Sequence, residues 1–413
     1  MIIKRDYYLQ QLISSKSNNL IKIVTGIRRS GKSFLLFNLF HNHLIETGIS
    51  EDHIIEIALD DRLNKNLRDP DVILQHIHER IVDDKLYYII LDEVQMIDEF
   101  TDVLNSLLHI RNADVYVTGS NSKFLSKDVV TEFRGRGDEI HLFPLSFAEL
   151  YNSIGGDKFE LWKSYYTYGG LPGILELDSE KKKAAYLRSL HETVYLKDII
   201  ERNNLKNSEE FMELMRVMAS CIGSPCNPSK LENTFKSVKN ETLDRKTISK
   251  YLSYMEDAFL IEKSMRYDIK GRKYIGTLSK YYFQDIGLRN ALLNFRQVEE
   301  NHIMENVIYN ELRLRGFCVD VGMVEARTAK ERKQLEVDFV ANIADRRYYI
   351  QSAFAMPDDD KREQESASLK RIDDSFKKII IMRDDIKPYH DNNGFYIVGL
   401  MDFLLKPDLI EQL

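Results

Sequence analysis

Gly26-Ile-Arg-Arg-Ser-Gly-Lys-Ser33 decides how this chain is read. The spacing G-x-x-x-x-G-K-S is that of a loop whose backbone N–H groups close around a polyphosphate. Its surroundings fit. Leu20-Ile-Lys-Ile-Val-Thr25 ahead of it is an apolar run that predicts a buried strand, and Phe34, Leu35, Phe37, Leu39 and Phe40 behind it recur at helical spacing. A strand, a loop and a helix in that order bring the loop amides and the positive helix end onto one anion. Glycines at both ends of the loop let it turn tightly and approach phosphate. The expected nucleotide contacts run through Gly26, Ile27, Arg28, Arg29, Ser30, Gly31, Lys32, Ser33 and Phe34. Lys32 is expected to reach the β- and γ-phosphates, and the Ser33 hydroxyl to ligate Mg²⁺.

A second motif follows in Tyr87-Tyr-Ile-Ile-Leu-Asp-Glu93, an apolar strand that ends on two acids. Downstream of a phosphate-binding loop, an Asp at such a strand end holds Mg²⁺. Asp92 is therefore the expected metal residue, and Glu93 the base that orients and activates water. A third strand, Val115-Tyr-Val-Thr-Gly119, runs into Ser120-Asn121-Ser122, polar residues placed to contact the γ-phosphate or the water. No N-K-x-D guanine-reading motif follows, which favours ATP over GTP.

At 413 residues the chain is long enough for two or three domains. No apolar run approaches the ~20 residues that a spanning helix needs. Three cysteines and an opening that turns polar at once predict a cytoplasmic protein with no membrane segment. The cysteines and histidines lack metal-site spacing, so Mg²⁺ is the one metal expected. A formal net charge of −7 argues against a wholly nucleic-acid-binding surface and leaves room for a local basic face.

The first 150 residues alternate strand and helix, which predicts an α/β fold with a parallel sheet. A fifth strand is expected at Glu139-Ile-His-Leu-Phe143, preceded by the glycine-loosened turn around Arg134 and Arg136. Residues 151–285 read as mainly helical. Within them Ile248, Tyr251, Leu252, Met255 and Phe259 form a core-facing stripe, and a basic hairpin follows around Lys270-Gly-Arg-Lys273. Helices followed by a short hairpin make a winged helix. Between Pro228 and Tyr274 eleven Lys/Arg face seven Asp/Glu, a reversal of the chain's overall sign. DNA is the partner such a face suits, through Lys250, Lys270, Arg272 and Lys273. Residues 286–413 form a third region of helix and strands.

Taken together, these residues resemble bacterial and archaeal AAA+ ATPases that carry a C-terminal domain of unknown function. The resemblance rests on Thr25–Ser33, Leu91–Gln95, Thr118–Ser122, Gly135-Arg136 ahead of Pro144–Phe147, Tyr168-Gly-Gly-Leu-Pro172 and Thr247–Leu252. It implies a phosphate-loop core, a helical and winged-helix domain, and a C-terminal domain similar to restriction endonucleases. It also implies that Arg136 reaches a transition-state phosphate, in its own chain or in a neighbouring subunit of a homo-oligomer. Such nuclease folds hold Mg²⁺ with a helical Glu, an Asp and a Glu-x-Lys pair. Here Glu305 and Asp338 stand for the first two, but the third reads Gln351-Ser-Ala353, without anion or ammonium. Lys361 and Lys370 are the cations able to replace it. The expectation is an inactive nuclease-like domain behind a working ATPase. An ATP-locked switch with slow turnover and an ATP-dependent DNA-processing nuclease are the alternatives.

Overall fold

The structure is a computed structural model and describes residues 2–119, 135–239, 243–327 and 332–412. The chain forms two compact units, Met1–Pro144 with Asp257–Phe259, and Leu145–Glu256 with Leu260–Leu413.

In the first unit five strands lie in the order β2-β3-β4-β1-β5 and all pair in parallel. They are β1 (Ile21–Thr25), β2 (Ile54–Ala58), β3 (Tyr87–Asp92), β4 (Ala113–Thr118) and β5 (Gly137–His141). Parallel sheets are covered on both faces, so their strands read as unbroken apolar runs. Alternate side chains go to opposite cores. Ile23, Ile57, Ile89, Leu91 and Val117 pack against the helices Pro70–Arg80 and Phe100–Leu107. Val24, Tyr88, Ile90, Tyr116 and Ile140 pack against Tyr8, Leu12, Leu36 and Phe40 on the other face. Lys22 breaks the pattern inside β1. Its ammonium is buried against the Asp114 carboxylate and donates to Leu20 O at 2.8 Å.

The second unit carries an eight-stranded mixed sheet in the order β12-β13-β11-β10-β9-β8-β6-β7. Its strands are β6 (Ile261–Asp268), β7 (Lys273–Phe283), β8 (Cys318–Arg327), β9 (Arg332–Ile343), β10 (Arg346–Ala353), β11 (Lys377–Met382), β12 (Tyr389–His390) and β13 (Tyr396–Gly399). The helix Glu300–Leu314 fills one face through Ile303, Met304, Val307, Ile308 and Leu312.

The basic hairpin is β6–β7, and it belongs to this sheet. Arg266, Tyr267 and Asp268 of β6 pair in parallel with Val321, Gly322 and Met323 of β8. The local sequence pattern sets the hairpin apart from the C-terminal strands. The pairing joins them because the free edge of β6 is satisfied by another strand's backbone.

A buried carboxylate fixes the Tyr168–Pro172 turn. Asp285 accepts the Leu288 N–H as the cap of Ile286–Leu292, and the Gly170 N–H, each at 2.9 Å. Gly169 has φ +76°, and a Cβ there would meet the Asp285 carboxylate at 2.5 Å. Among the described residues no helix is long and apolar enough to cross a membrane.

Candidate functional site

The loop from Gly26 to Ser33 leaves the C-terminal end of β1 and feeds directly into a helix that spans residues 32–46 and passes through a π-type stretch at Leu35–Phe40. Gly26 has φ +134°, and a Cβ on it would come within 2.2 Å of the Leu142 carbonyl oxygen. No side chain fits there. Arg5 braces the loop from outside, donating to Ser30 O at 3.3 Å and to Phe143 O at 2.7 Å. Arg29 takes a left-handed backbone, φ 66°, at the bend of the loop.

Lys32 is buried and its ammonium donates to Gly26 O at 3.0 Å and Ile27 O at 3.1 Å. These carbonyls hold the cation inside the curve of the loop. Ile27 is buried beneath it, and Phe34 is partly exposed on the first helical turn. Ser33 points the other way, and its Oγ donates to Asp92 Oδ2 at 2.7 Å. The second Asp92 oxygen accepts from Thr118 Oγ1 at the end of β4. Thr118 Oγ1 in turn accepts the Glu93 N–H at 2.9 Å. Glu93 itself stands in a left-handed turn, φ 53°, and its carboxylate accepts from Gln95 Nε2.

Asp92 thus sits at the C-terminal end of a central strand, as ligand-binding residues of open α/β sheets do. Burial raises its pKa above the ordinary carboxylate range. The bonds from Thr118 and Ser33 work against that, and the charges of Glu93 and Asp60 add to it. A divalent cation beside it would relieve this penalty. The donors present are hard oxygens, Ser33 Oγ and an Asp92 carboxylate, which is the chemistry Mg²⁺ takes. Ser30 Oγ is buried in the loop with no partner among the described residues, so a polar acceptor or donor is missing there.

The structure therefore brings Lys32, Ser33, Asp92 and Glu93 to one end of the sheet. It does not bring Arg136 to them. Gly137 pairs with Ile21 and His141 with Thr25, so β5 begins where β1 begins, and the Ile21 N–H bonds to Arg136 O at 2.9 Å. Arg136 is exposed at the opposite end of the strands from the loop, about 16 Å away at the ordinary rise per residue. The register sets Arg136 a strand's length from its own chain's loop. Asn121, with Ser120 and Ser122, lies outside the described residues.

Sequence reading missed Thr118 and Gln95 as site residues. Each was visible as a polar residue at the close of, or three positions beyond, an apolar strand, but their target depends on which strands are neighbours.

A family model described as an AAA domain matches residues 18–151. An uncharacterized protein of Haemophilus influenzae is 33% identical over 414 residues, covering 98% of this chain and 99% of that protein. The chain belongs to this family of AAA-domain proteins. An AAA domain is a nucleotide-binding domain of the ATPase class. A second model, described as a domain of unknown function (DUF8612), matches residues 159–299 behind the AAA domain. An uncharacterized protein of Methanocaldococcus jannaschii is 29% identical over 391 residues, 90% of this chain and 82% of that one. Among solved structures, Cdc6p of Pyrobaculum aerophilum matches at 13% identity over 73% of this chain and 94% of its own, with a TM-score of 0.30. A score that low carries nothing about the AAA domain's site.

The second unit holds a separate charged cluster. Lys280 of β7 is buried and its ammonium lies 2.8 Å from Glu305 Oε1, 2.7 Å from Glu336 Oε1 and 3.9 Å from Asp338 Oδ1. Tyr282 O–H donates to Glu305 at 2.8 Å, and the Ser352 N–H to Asp338 Oδ2 at 2.8 Å. Burial works to lower the Lys280 pKa, but the carboxylates of Glu305, Asp338 and Glu336 raise it above the ordinary lysine range. Burial and the neighbouring Glu305 raise Asp338. Of the two lysines able to reach in, Lys361 lines a pocket with Glu305 and Ser352. Lys361 pairs with Glu365 at 2.7 Å, and Lys370 pairs with Glu363. The long side chains of both find nearer acids on their own surface segment. Ala353 packs in the core with Val337, Val340 and Tyr349. Lys280 and Glu336 were missed, although Glu336 shares a strand face with Asp338 by the two-residue period.

Lys250 lies exposed on the helix Arg245–Asp257, and Lys270, Arg272 and Lys273 lie exposed on the hairpin.

Proposed function

We propose that the AAA domain binds ATP with Mg²⁺ and hydrolyses it, and that the cycle drives rearrangement of the helical region and the C-terminal domain. The observation that carries this is the convergence of Lys32, Ser33, Asp92 and Glu93 at one strand end. Lys32 supplies the buried cation for the β- and γ-phosphates, and the loop amides surround them. Mg²⁺ held by Ser33 and Asp92 would neutralise charge building on the phosphate oxygens. Glu93, next to Asp92, orients water and takes its proton. Thr118 fixes both acids, through the Asp92 carboxylate and the Glu93 backbone. Phosphate release by the parent and by Glu93→Gln, with Mg²⁺ and with chelator, tests the reading.

Arg136, exposed at the far end of the sheet, suits a role on a neighbouring subunit's nucleotide in a homo-oligomer. Mixing Arg136→Ala chains with Lys32→Ala chains checks it, because trans action predicts partial recovery of turnover.

One observation favours slow turnover, in which ATP locks a state and hydrolysis is a timer. Gln95 bonds the carboxylate of Glu93, and a base engaged in this way is restrained from the water.

The helices Ser208–Ser220, residues 228–239 and Arg245–Asp257, with the hairpin β6–β7, are arranged in the order of a winged helix, and Cys226 bridges Ser279 of β7. We read its exposed cations as a DNA-contact surface led by Lys250. The C-terminal sheet is read as a nuclease-like fold without nuclease activity. Support comes from Lys280, whose ammonium engages the carboxylates that a metal would need. Linear DNA incubated with Mg²⁺ or Mn²⁺ is expected to stay intact, and cleavage lost in Asp338→Ala would reverse this assignment. The described cysteines, Cys221, Cys226 and Cys318, are all free thiols, in keeping with a cytoplasmic protein.

A further inference from the structure

The turn between β6 and β7 holds cations that have no partners among the described residues. Asp268 shapes the turn by accepting the Gly271 N–H at 2.9 Å. Arg272 follows in a left-handed backbone, φ 49°, which costs a non-glycine residue about 1 kcal/mol. Strain of this kind is retained where a side chain is needed in place. Some surface lysines of this unit are paired, such as Lys182 with Asp178, Lys236 with Glu232 and Lys406 with Asp402. Lys270 and Arg272 make no ion pair or hydrogen bond among the described residues.

Both line a groove of about 530 Å³, together with Arg347 of β10. The Arg347 guanidinium lies 5.2 Å from the centre of the Tyr267 ring and 5.4 Å from that of Phe376. Its Nε donates to Asn342 Oδ1 at 2.8 Å, which fixes the plane. Two acids stand on the facing wall. Asp374 is engaged by the Tyr349 hydroxyl at 2.6 Å, whereas Asp373 is exposed. Phe376 keeps 40% of its surface open.

Three cations against two acids select an anion. A bare phosphate has no use for the aromatic rings. A ligand with a charged end, a flat ring and polar edges uses all of it. Cations along a backbone with rings for bases to stack on are how single strands are held, and a groove of this size takes one nucleotide.

We infer that the groove binds a nucleoside phosphate. The phosphate sits on Lys270 and Arg272, the base stacks on the open Phe376 ring, and Asp373 accepts from a base N–H. A free mononucleotide and one unit of a single strand present the same chemistry. The site needs neither ATP hydrolysis nor Lys250, so it stands or falls apart from the ATPase. It shares only its two hairpin cations with the duplex reading.

The test uses the full chain and a labelled twelve-nucleotide poly-dT strand, titrated across a salt series. A duplex of the same length and unlabelled thymidine monophosphate as competitor form the other arms. The parent is expected to bind the strand. Lys270→Ala/Arg272→Ala should weaken binding at least tenfold and flatten the log–log salt slope by roughly 1.4, about 0.7 per lost phosphate contact. Phe376→Leu should weaken it severalfold at unchanged slope, because it removes stacking and no charge. Displacement by millimolar monophosphate assigns the groove to free nucleotides as well, and resistance assigns it to strands. Lys250→Ala should lower duplex binding only. Each variant is checked for parental ATP turnover, which none of these residues serves. No strand binding at low salt, or equal binding by parent and double variant, overturns the inference.

Discussion

Ser33 Oγ lies 2.7 Å from Asp92 Oδ2, so the first turn of the helix after the phosphate-binding loop is tied to the end of the neighbouring acid strand. Two residues far apart in sequence thereby form one oxygen pair, at the place where Lys32 is buried in the loop. The pair links sheet order to chemistry. It exists because β3 and β1 flank β4 and all three end on the same side.

The first prediction follows from that pair. Ser33→Ala and Asp92→Asn should each raise the Mg²⁺ concentration needed for half-maximal turnover by roughly tenfold or more, the usual scale for loss of a group that holds or orients a metal. ATP binding measured in chelator should stay near parental, since Lys32 and the loop amides are untouched. A magnesium titration of initial rates at saturating ATP provides the measurement.

Gln95 yields a prediction of opposite sign. Its amide holds the Glu93 carboxylate, and removing one such bond frees about 1 kcal/mol of restraint. Gln95→Ala should speed hydrolysis about fivefold, with KM for ATP little changed. A slower variant would show that Gln95 aims Glu93 at the water and does not restrain it.

The edge strand β5, Gly137-Asp-Glu-Ile-His141, is largely exposed and begins two residues ahead of the expected run, but β1, β3 and β4 were legible because they are buried and read as apolar runs that end in a polar residue. Lys22 is the exception, and its Asp114 partner lies two strands' worth of sequence away. The loop and the acids at Asp92 and Glu93 were legible for the same reason, as they lie just beyond such runs. What stayed hidden depends on long-range register, which local periodicity does not encode. The place of Arg136, open between its own chain and a neighbour, depends on the Ile21 and Gly137 pairing. Lys280 belongs here too, since Glu305 and Glu336 come to it from separate elements.

That cluster predicts a stability effect. Lys280→Met leaves three largely buried carboxylates without a counter-charge, and breaking a buried pair typically costs about 3–5 kcal/mol. The loss should be greatest at neutral pH and shrink on acidification, as the orphaned carboxylates take up protons. Urea unfolding of parent and variant at pH 7.5 and pH 5 reads both features.

His191 gives the pH dependence of the second unit. Burial, helped by the charge of Arg216, pushes its imidazole from 6.5 down to about 4. Folding thus favours the neutral ring, and its contribution is complete above pH 6.5 and lost as pH falls toward 4. The span amounts to about 3 kcal/mol. Asp285 acts in the opposite sense, since burial pushes it from 3.8 up to about 6 despite its N–H bonds, and its penalty is relieved over the same acid range. The difference between parent and His191→Leu isolates the histidine. Relative to the parent, the variant should gain stability steadily from pH 6.5 to pH 4.5.

The most direct measurement is nucleotide binding and hydrolysis in Lys32→Ala and Glu93→Gln side by side. Lys32→Ala should fail to bind a fluorescent ATP analogue, because the loop loses its buried ammonium. Glu93→Gln should bind the analogue like the parent and lose most of its phosphate release, at least a hundredfold. Parental turnover by Glu93→Gln, or parental binding by Lys32→Ala, would contradict the account.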